Sequence, residues 1–172
     1  MMATHAARAV HAAYQSPIPS PQSPVNSPIT QLPNYPITMS RIMTTLRHAP
    51  VRAANLPAPV GPYSPGMSFD RLIFVSGQGG HDPSTGRLAE NVEQQTEQCL
   101  KNVQTILEAA GSSLQHVLRC GVFLLDMREF EKMNGVYARM FGEHRPARTT
   151  VQVAGLPGEG LRVEIDAIAY MP

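Results

Sequence analysis

Two residues of opposite charge sit inside runs that otherwise alternate like β-strands. Arg148 opens RTTVQVA, and Glu164 lies within VEIDAIA. An arginine offers a planar fork that grips a carboxylate through two parallel hydrogen bonds, so a small carboxylate ligand suits it. Two further polar residues are out of place. Asn134 falls on a helical stripe that is otherwise apolar, and Tyr63 lies in the Pro-Gly turn GPYSPG. Each also has a plainer explanation. Charges on a strand often mark a solvated sheet face, where an ion pair is worth about 0–1 kcal/mol. A core amide is commonly satisfied by neighbours, and a turn tyrosine is often a surface cover.

The elements that must position these residues follow from hydrophobic period. LIFVS at 72–76 is an apolar, partly β-branched run closed by Gly77, which predicts a buried strand. GMSF at 66–69 predicts a short strand before it, and GQGGHDPSTGR at 77–87 a loop. Val92, Thr96, Cys99, Leu100, Val103, Ile106, Leu107 and Ala110 recur at helical spacing over 92–110. Asn91 can cap that helix, with Gln94 reaching back, and Gly111 closes it. A strand is predicted over 116–125. A second helix starts at Asp126 with Glu129 as its reciprocal cap, carrying Phe130, Met133, Asn134, Tyr137 and Phe141 on one face. Residues 148–154 and 163–170 alternate as strands. Thr149, Val151 and Val153 are expected inward on the first. Val163, Ile165, Ala167 and Ala169 are expected inward on the second. Arg148, Thr150, Gln152 and Glu164 then point to the opposite face. This order predicts an α+β domain, a single sheet with two helices packed on one face. Its other face needs solvent or another subunit, and clefts between copies are natural ligand sites.

The chain has 172 residues, with 14 Lys+Arg against 13 Asp+Glu and a formal net charge of +1. That balance does not suit binding to nucleic acid or an anionic membrane by bulk charge. No apolar run reaches the length of a transmembrane helix. The two cysteines read as reduced thiols of a cytosol-like compartment, and Cys99 falls on a core stripe. Ten of the 16 prolines fall within residues 1–59, and no acidic residue precedes Asp70. Residues 1–50 are therefore expected to be a Pro/Ser-rich arm, and 51–172 the globular domain. The acid-free arm with Arg8, Arg41, Arg47 and Arg52 reads either as a mitochondrial targeting segment or as an over-extended start before Met39 or Met43. The second reading is favoured, because proline begins at Pro17 and the only apolar face before it is mostly alanine.

Several chemistries have no signature here. HExxH, CxxC pairs, zinc-spaced His/Cys clusters and the GxSxG elbow are missing from the sequence, so no metal is expected. SGQGG at 76–80 lacks the GK[ST] ending and the helix of a phosphate loop, and no cofactor fingerprint occurs.

The segments GPYSPG (61–66), FVSGQGGHDPSTG (74–86), QTEQCLKNVQTILEAAG (95–111), VFLLDMREFEKMNGVYARMF (122–141), RPARTTVQVAGLP (145–157) and VEIDAIA (163–169) together resemble the Rid family, the RidA/YjgF-like reactive-intermediate deaminases. The likeness runs from about Pro59 to Tyr170 and does not extend to the arm. It implies a chorismate-mutase-like fold, a homotrimer with sites between subunits, and hydrolysis of 2-imino acids or their enamine tautomers to 2-keto acids and ammonia, with no cofactor. Such imines leak from pyridoxal-phosphate enzymes. Arg148 corresponds to the family arginine that holds the substrate carboxylate, and Glu164 to the glutamate that activates water. Tyr63, Ser76, Gly77, Asn134 and Thr150 correspond to pocket-lining positions. Relatives often carry Cys where this chain has Thr150. The GEHRPAR segment is shorter than in longer-looped members, and Arg145 is an extra cation at its rim. The resemblance leaves three alternatives open: a non-catalytic, carboxylate-binding regulatory trimer, a related deaminase or hydrolase of aromatic or pyrimidine breakdown, or RNA cleavage or translational inhibition, which the near-zero net charge and the lack of a basic run do not suit. The expected partner is a small 2-imino acid, with no membrane and no nucleic acid. The expected compartment is the cytoplasm, or the mitochondrion if the arm is a transit peptide.

Overall fold

The structure, a computed structural model, describes residues 48–52, 59 and 61–172. The expectations about residues 1–47 lie outside the described residues. The elements are β1 (His48–Val51), β2 (Gly66–Phe69), β3 (Leu72–Gly79), α1 (Val92–Ala109), β4 (Val117–Leu124), α2 (Phe130–Phe141), β5 (Ala147–Gln152) and β6 (Val163–Tyr170). They form one six-stranded mixed sheet in the order β1-β2-β3-β6-β4-β5. Both helices cover the same face, as the sequence leads one to expect. β1 was not expected; its HAPV holds one proline and no run of apolar residues.

Each element has a local cause. β2 and β3 join through the two residues Asp70 and Arg71, and Asp70 takes φ 51°, a left-handed conformation that a short Asp tolerates. α1 begins where Asn91 Oδ1 accepts from the Gln94 amide at 2.9 Å. Gln94 Oε1 in turn accepts from the Glu90 amide at 3.3 Å, one residue before the cap. After α1, Gly111 takes φ 75°, a left-handed conformation that ends the helix and that a residue with a side chain adopts only under strain. α2 starts later than expected. Asp126 caps a short 3₁₀ turn, Met127–Glu129, and the α-helix begins at Phe130. Glu129 does not reach back to Asp126. Its carboxylate is taken by Arg162, whose Nε and Nη2 lie 3.0 and 2.8 Å from Oε1.

The core lies between the helices and the sheet. Ile73, Leu100, Ile106, Leu107, Leu124, Met133, Phe141 and Ile165 are fully buried. Each such side chain contributes about 1.5–3 kcal/mol by leaving water. Cys99 is buried among them, which matches a packing role, and burial pushes its thiol far up and out of reach of ionisation. Cys120, also buried, has its thiol pushed up to about 11 by desolvation.

β6 is central. Its residues alternate strictly, with Val163, Ile165, Ala167 and Ala169 buried and the residues between them half-buried. β4 runs antiparallel to β6 and parallel to β5, with α2 as the crossover between the two parallel strands. That register decides where β5 points. Arg148 pairs with Cys120, and Thr150 with Val122, whose side chains are both in the core. Directly paired residues share a face, so Arg148 and Thr150 lie on the helix side. The expected orientation of β5 is thus reversed. Thr149 and Val151 face away from the helices, and Val151 is exposed. Alternation gives two equivalent faces and does not say which is inward. Here α2 meets the edge strand with Phe130 and Tyr137, aromatic faces that accept a guanidinium.

Candidate active site

Arg148 is half-buried at the sheet edge. Its guanidinium carbon lies 4.6 Å from the Tyr137 ring centroid and 5.7 Å from that of Phe130. Cation–π attraction of this kind holds the planar head against an aromatic platform. No carboxylate or carbonyl among the described residues accepts from it. A guanidinium so placed has its donor fork free.

A cavity of about 360 Å³ opens beside it. One wall is a single helix face, since Asn134, Tyr137, Ala138 and Phe141 stand at helical spacing on α2. Asn134 is half-buried there with its amide uncommitted among the described residues, so it is not the satisfied core amide of the plainer explanation. The other wall is the 142–147 loop. His144 Nε2 lies 2.7 Å from the Val117 carbonyl, which can only accept, so that nitrogen carries the proton. Among the described residues, the Tyr137 hydroxyl and Thr150 Oγ1 are buried without a hydrogen-bond partner. Buried hydroxyls of this kind are uncommon.

Glu164 is on the other side of the sheet. It pairs with Phe123 and Gly79, while its neighbours Val163 and Ile165 fill the core. It is half-buried, and burial first, then the nearby Asp166 charge, raises its carboxyl above the ordinary range. Asp166 Oδ1 accepts from the Gly121 amide at 2.7 Å, while Arg119 stands 3.8 Å from that same oxygen. A β-bulge shapes the surroundings of Glu164. Ser76 and Gly77 together oppose Asp166, between the pairs Val75–Ala167 and Gln78–Ile165. The bulge brings Gly77 against the Glu164 carboxylate, so closely that a Cβ at Gly77 would collide with it. The Ser76 hydroxyl donates to the Ser64 carbonyl at 2.7 Å, and the Ser76 amide to the Pro65 carbonyl at 2.9 Å. These bonds tie the bulge to the turn that carries Tyr63, which is exposed.

The chain therefore gathers the seven residues in two groups. Arg148, Thr150 and Asn134 lie on the helix side. Glu164, Gly77 and Ser76, with the Tyr63 turn tied to them, lie at the open face. Tyr137, His144 and Asp166 were not singled out from sequence as site residues. Asp166 was within reach, because residues two apart on a strand share a face. Tyr137 shows as the residue three on from Asn134, one helical turn away, but its role as a platform depends on the register of β5.

Among the described residues no set of three His, Cys, Asp or Glu side chains could hold a metal, and no helix is long and apolar enough to cross a membrane.

A mixed sheet backed by two helices carries an arginine at its edge, unpaired among the described residues, and a half-buried glutamate on its open face, which defines a small α+β protein with opposite charges on separate faces. The chain belongs to the Rid (YjgF/RidA) family: the family model described as Endoribonuclease L-PSP matches residues 53–171. A RutC family protein of Pyrococcus horikoshii is 48% identical over 117 residues, covering 67% of this chain and 92% of that one. The human 2-iminobutanoate/2-iminopropanoate deaminase is 41% identical over 128 residues, covering 74% of this chain and 93% of the human one. Among solved structures, Escherichia coli TdcF with bound serine matches with a TM-score of 0.69 at 35% identity, covering 72% of this chain and 99% of that one.

Proposed function

We propose that the protein hydrolyses 2-imino acids, or their enamine tautomers, to 2-oxo acids and ammonia, as a homotrimer with its sites between subunits. The observation that carries this reading is Arg148, a half-buried guanidinium backed by Tyr137 and free of any acceptor among the described residues. It supplies a fork for the carboxylate that every 2-imino acid has. The human relative is named for this activity, and TdcF holds a small amino acid.

Arg148 and Glu164 do not meet within one chain, so a second copy must bring them together. The open face suits that role. Phe69, Leu72, Phe74 and Val151 are exposed on it, and monomeric proteins rarely leave such a patch in water.

In the assembled cleft, Arg148 holds the carboxylate, and the Asn134 amide and the Thr150 region fix the plane of the imine. Glu164 of the neighbouring copy binds a water. Its raised carboxyl makes it a better base than an ordinary glutamate once ionised. Water adds to C2 of the protonated imine as Glu164 takes its proton, which gives a neutral carbinolamine. Glu164 passes that proton to nitrogen, the C–N bond breaks with its electron pair leaving on ammonia, and the C2 hydroxyl gives its proton to Glu164, and from there to solvent, as it becomes the carbonyl. Most of the rate comes from placing water and substrate. We place the active protein in the cytoplasm, where its two cysteines stay reduced, or in the mitochondrion if residues 1–50 act as a transit segment.

The test couples the full chain to an enzyme that generates 2-iminopropanoate. Faster imine loss and faster pyruvate appearance, both absent with Arg148→Ala, support the reading. A folded trimer that binds 2-oxo acids without accelerating hydrolysis sinks it in favour of a binding role.

A further inference from the structure

We infer that Arg145 selects substrates with a second carboxylate, so that the cavity prefers dicarboxylic 2-imino acids to their monocarboxylic counterparts. The inference rests on the deaminase reading for the word substrate, but the binding preference stands apart from it.

Among the described residues of its own chain, the cavity is lined by two guanidiniums, those of Arg145 and Arg148, and by no carboxylate. Arg148 accounts for one anionic group, the carboxylate at C1. Arg145 makes no ion pair among the described residues, although Glu143 is two residues away. It is exposed at the rim, yet its position is not loose. Its Nη1 donates to the His144 carbonyl at 3.0 Å. The His144 ring is fixed at Nε2 by Val117 and lies 6.0 Å from the Phe141 ring. Pro146 restricts the backbone of Arg145 from the other side. Arg145 and Arg148 are three residues apart, a span of at most about 10 Å of extended chain. Two arginine side chains over that span can converge on the ends of one short diacid. A monocarboxylic ligand leaves the second guanidinium to water.

The full chain would be titrated calorimetrically with 2-oxoglutarate and with 2-oxopentanoate, which differ only in the distal carboxylate. 2-Oxoglutarate is expected to bind roughly fivefold tighter at low salt, the size of a rim-exposed charge pair. Added salt should shrink that ratio. Arg145→Gln should bring it close to one, and Arg145→Lys should retain part of it. Equal affinities in the parent chain, or a ratio unchanged in Arg145→Gln, overturn the inference. A salt-sensitive preference without any imine hydrolysis would uphold it while removing the deaminase.

Discussion

Arg148 and Glu164 stand on opposite faces of the same sheet, Arg148 paired across the ladder with Cys120 and Glu164 with Phe123. A site that needs both must draw them from different chains.

Mixing two inactive variants tests this directly. Arg148→Ala and Glu164→Gln are each expected to lose imine hydrolysis. Co-expressed in equal amounts, they should recover about one quarter of the parent activity, the share of clefts that receive an intact residue from each side in random assembly. A mixture as inactive as its parts would mean a site contained in one chain.

Arg148→Lys keeps the charge and loses the fork. A fall of about 10- to 100-fold in kcat/KM is expected, the size of a charge-assisted hydrogen bond. Steady-state kinetics with 2-iminopropanoate would show it, and an unchanged value would remove Arg148 from carboxylate binding.

Glu164 links activity and stability to pH in opposite senses. Its folded carboxyl is raised, so between the ordinary and the raised value the folded chain binds more protons than the unfolded one. Stability from this group therefore falls as pH rises through that window, while the active, ionised form appears. Glu164→Gln should melt at a higher temperature than the parent at pH 7, and the parent's kcat/KM should fall on the acid side as Glu164 takes up its proton. A variant less stable at neutral pH would contradict this.

Gly77→Ala places a methyl group against the Glu164 carboxylate. The carboxylate end can swing away, so a small change in melting temperature is expected alongside a loss of at least about tenfold in kcat. Steady-state kinetics with 2-iminopropanoate would show it, and an unchanged kcat would mean that Gly77 does not act through Glu164.

Phe74→Glu puts a charge at the centre of the open apolar face. Sedimentation should report monomers with native far-UV circular dichroism and no hydrolysis. Active monomers would refute the shared cleft.

Much of this was legible in the sequence, for identifiable reasons. The long periodic runs gave α1 and β6, because a buried stripe leaves a clear 3.6 or 2.0 period, and β4 showed as a mostly apolar run. The order of elements then set a single sheet with both helices on one side. β1 escaped because HAPV carries no such period; its pairing with Met67 and its neighbours is a tertiary choice. β5 was found but turned the wrong way round. Thr149 and Val151 alternate with Arg148 and Thr150, and β-branched residues occur on both sides. Only the parallel register with β4 settles which set meets α2. Glu129 read as a cap by spacing, and lost that role to Arg162, 33 residues away in sequence.

The strict alternation of β6 has a consequence for how such a protein diverges. Its odd positions answer to the chain's own core, and a change there shows up as a lower melting temperature. Its even positions answer to whatever crosses the open face. Two selective pressures thus run along eight consecutive residues without sharing a side chain. Substrate choice can drift along one set while the packing of the core is held by the other.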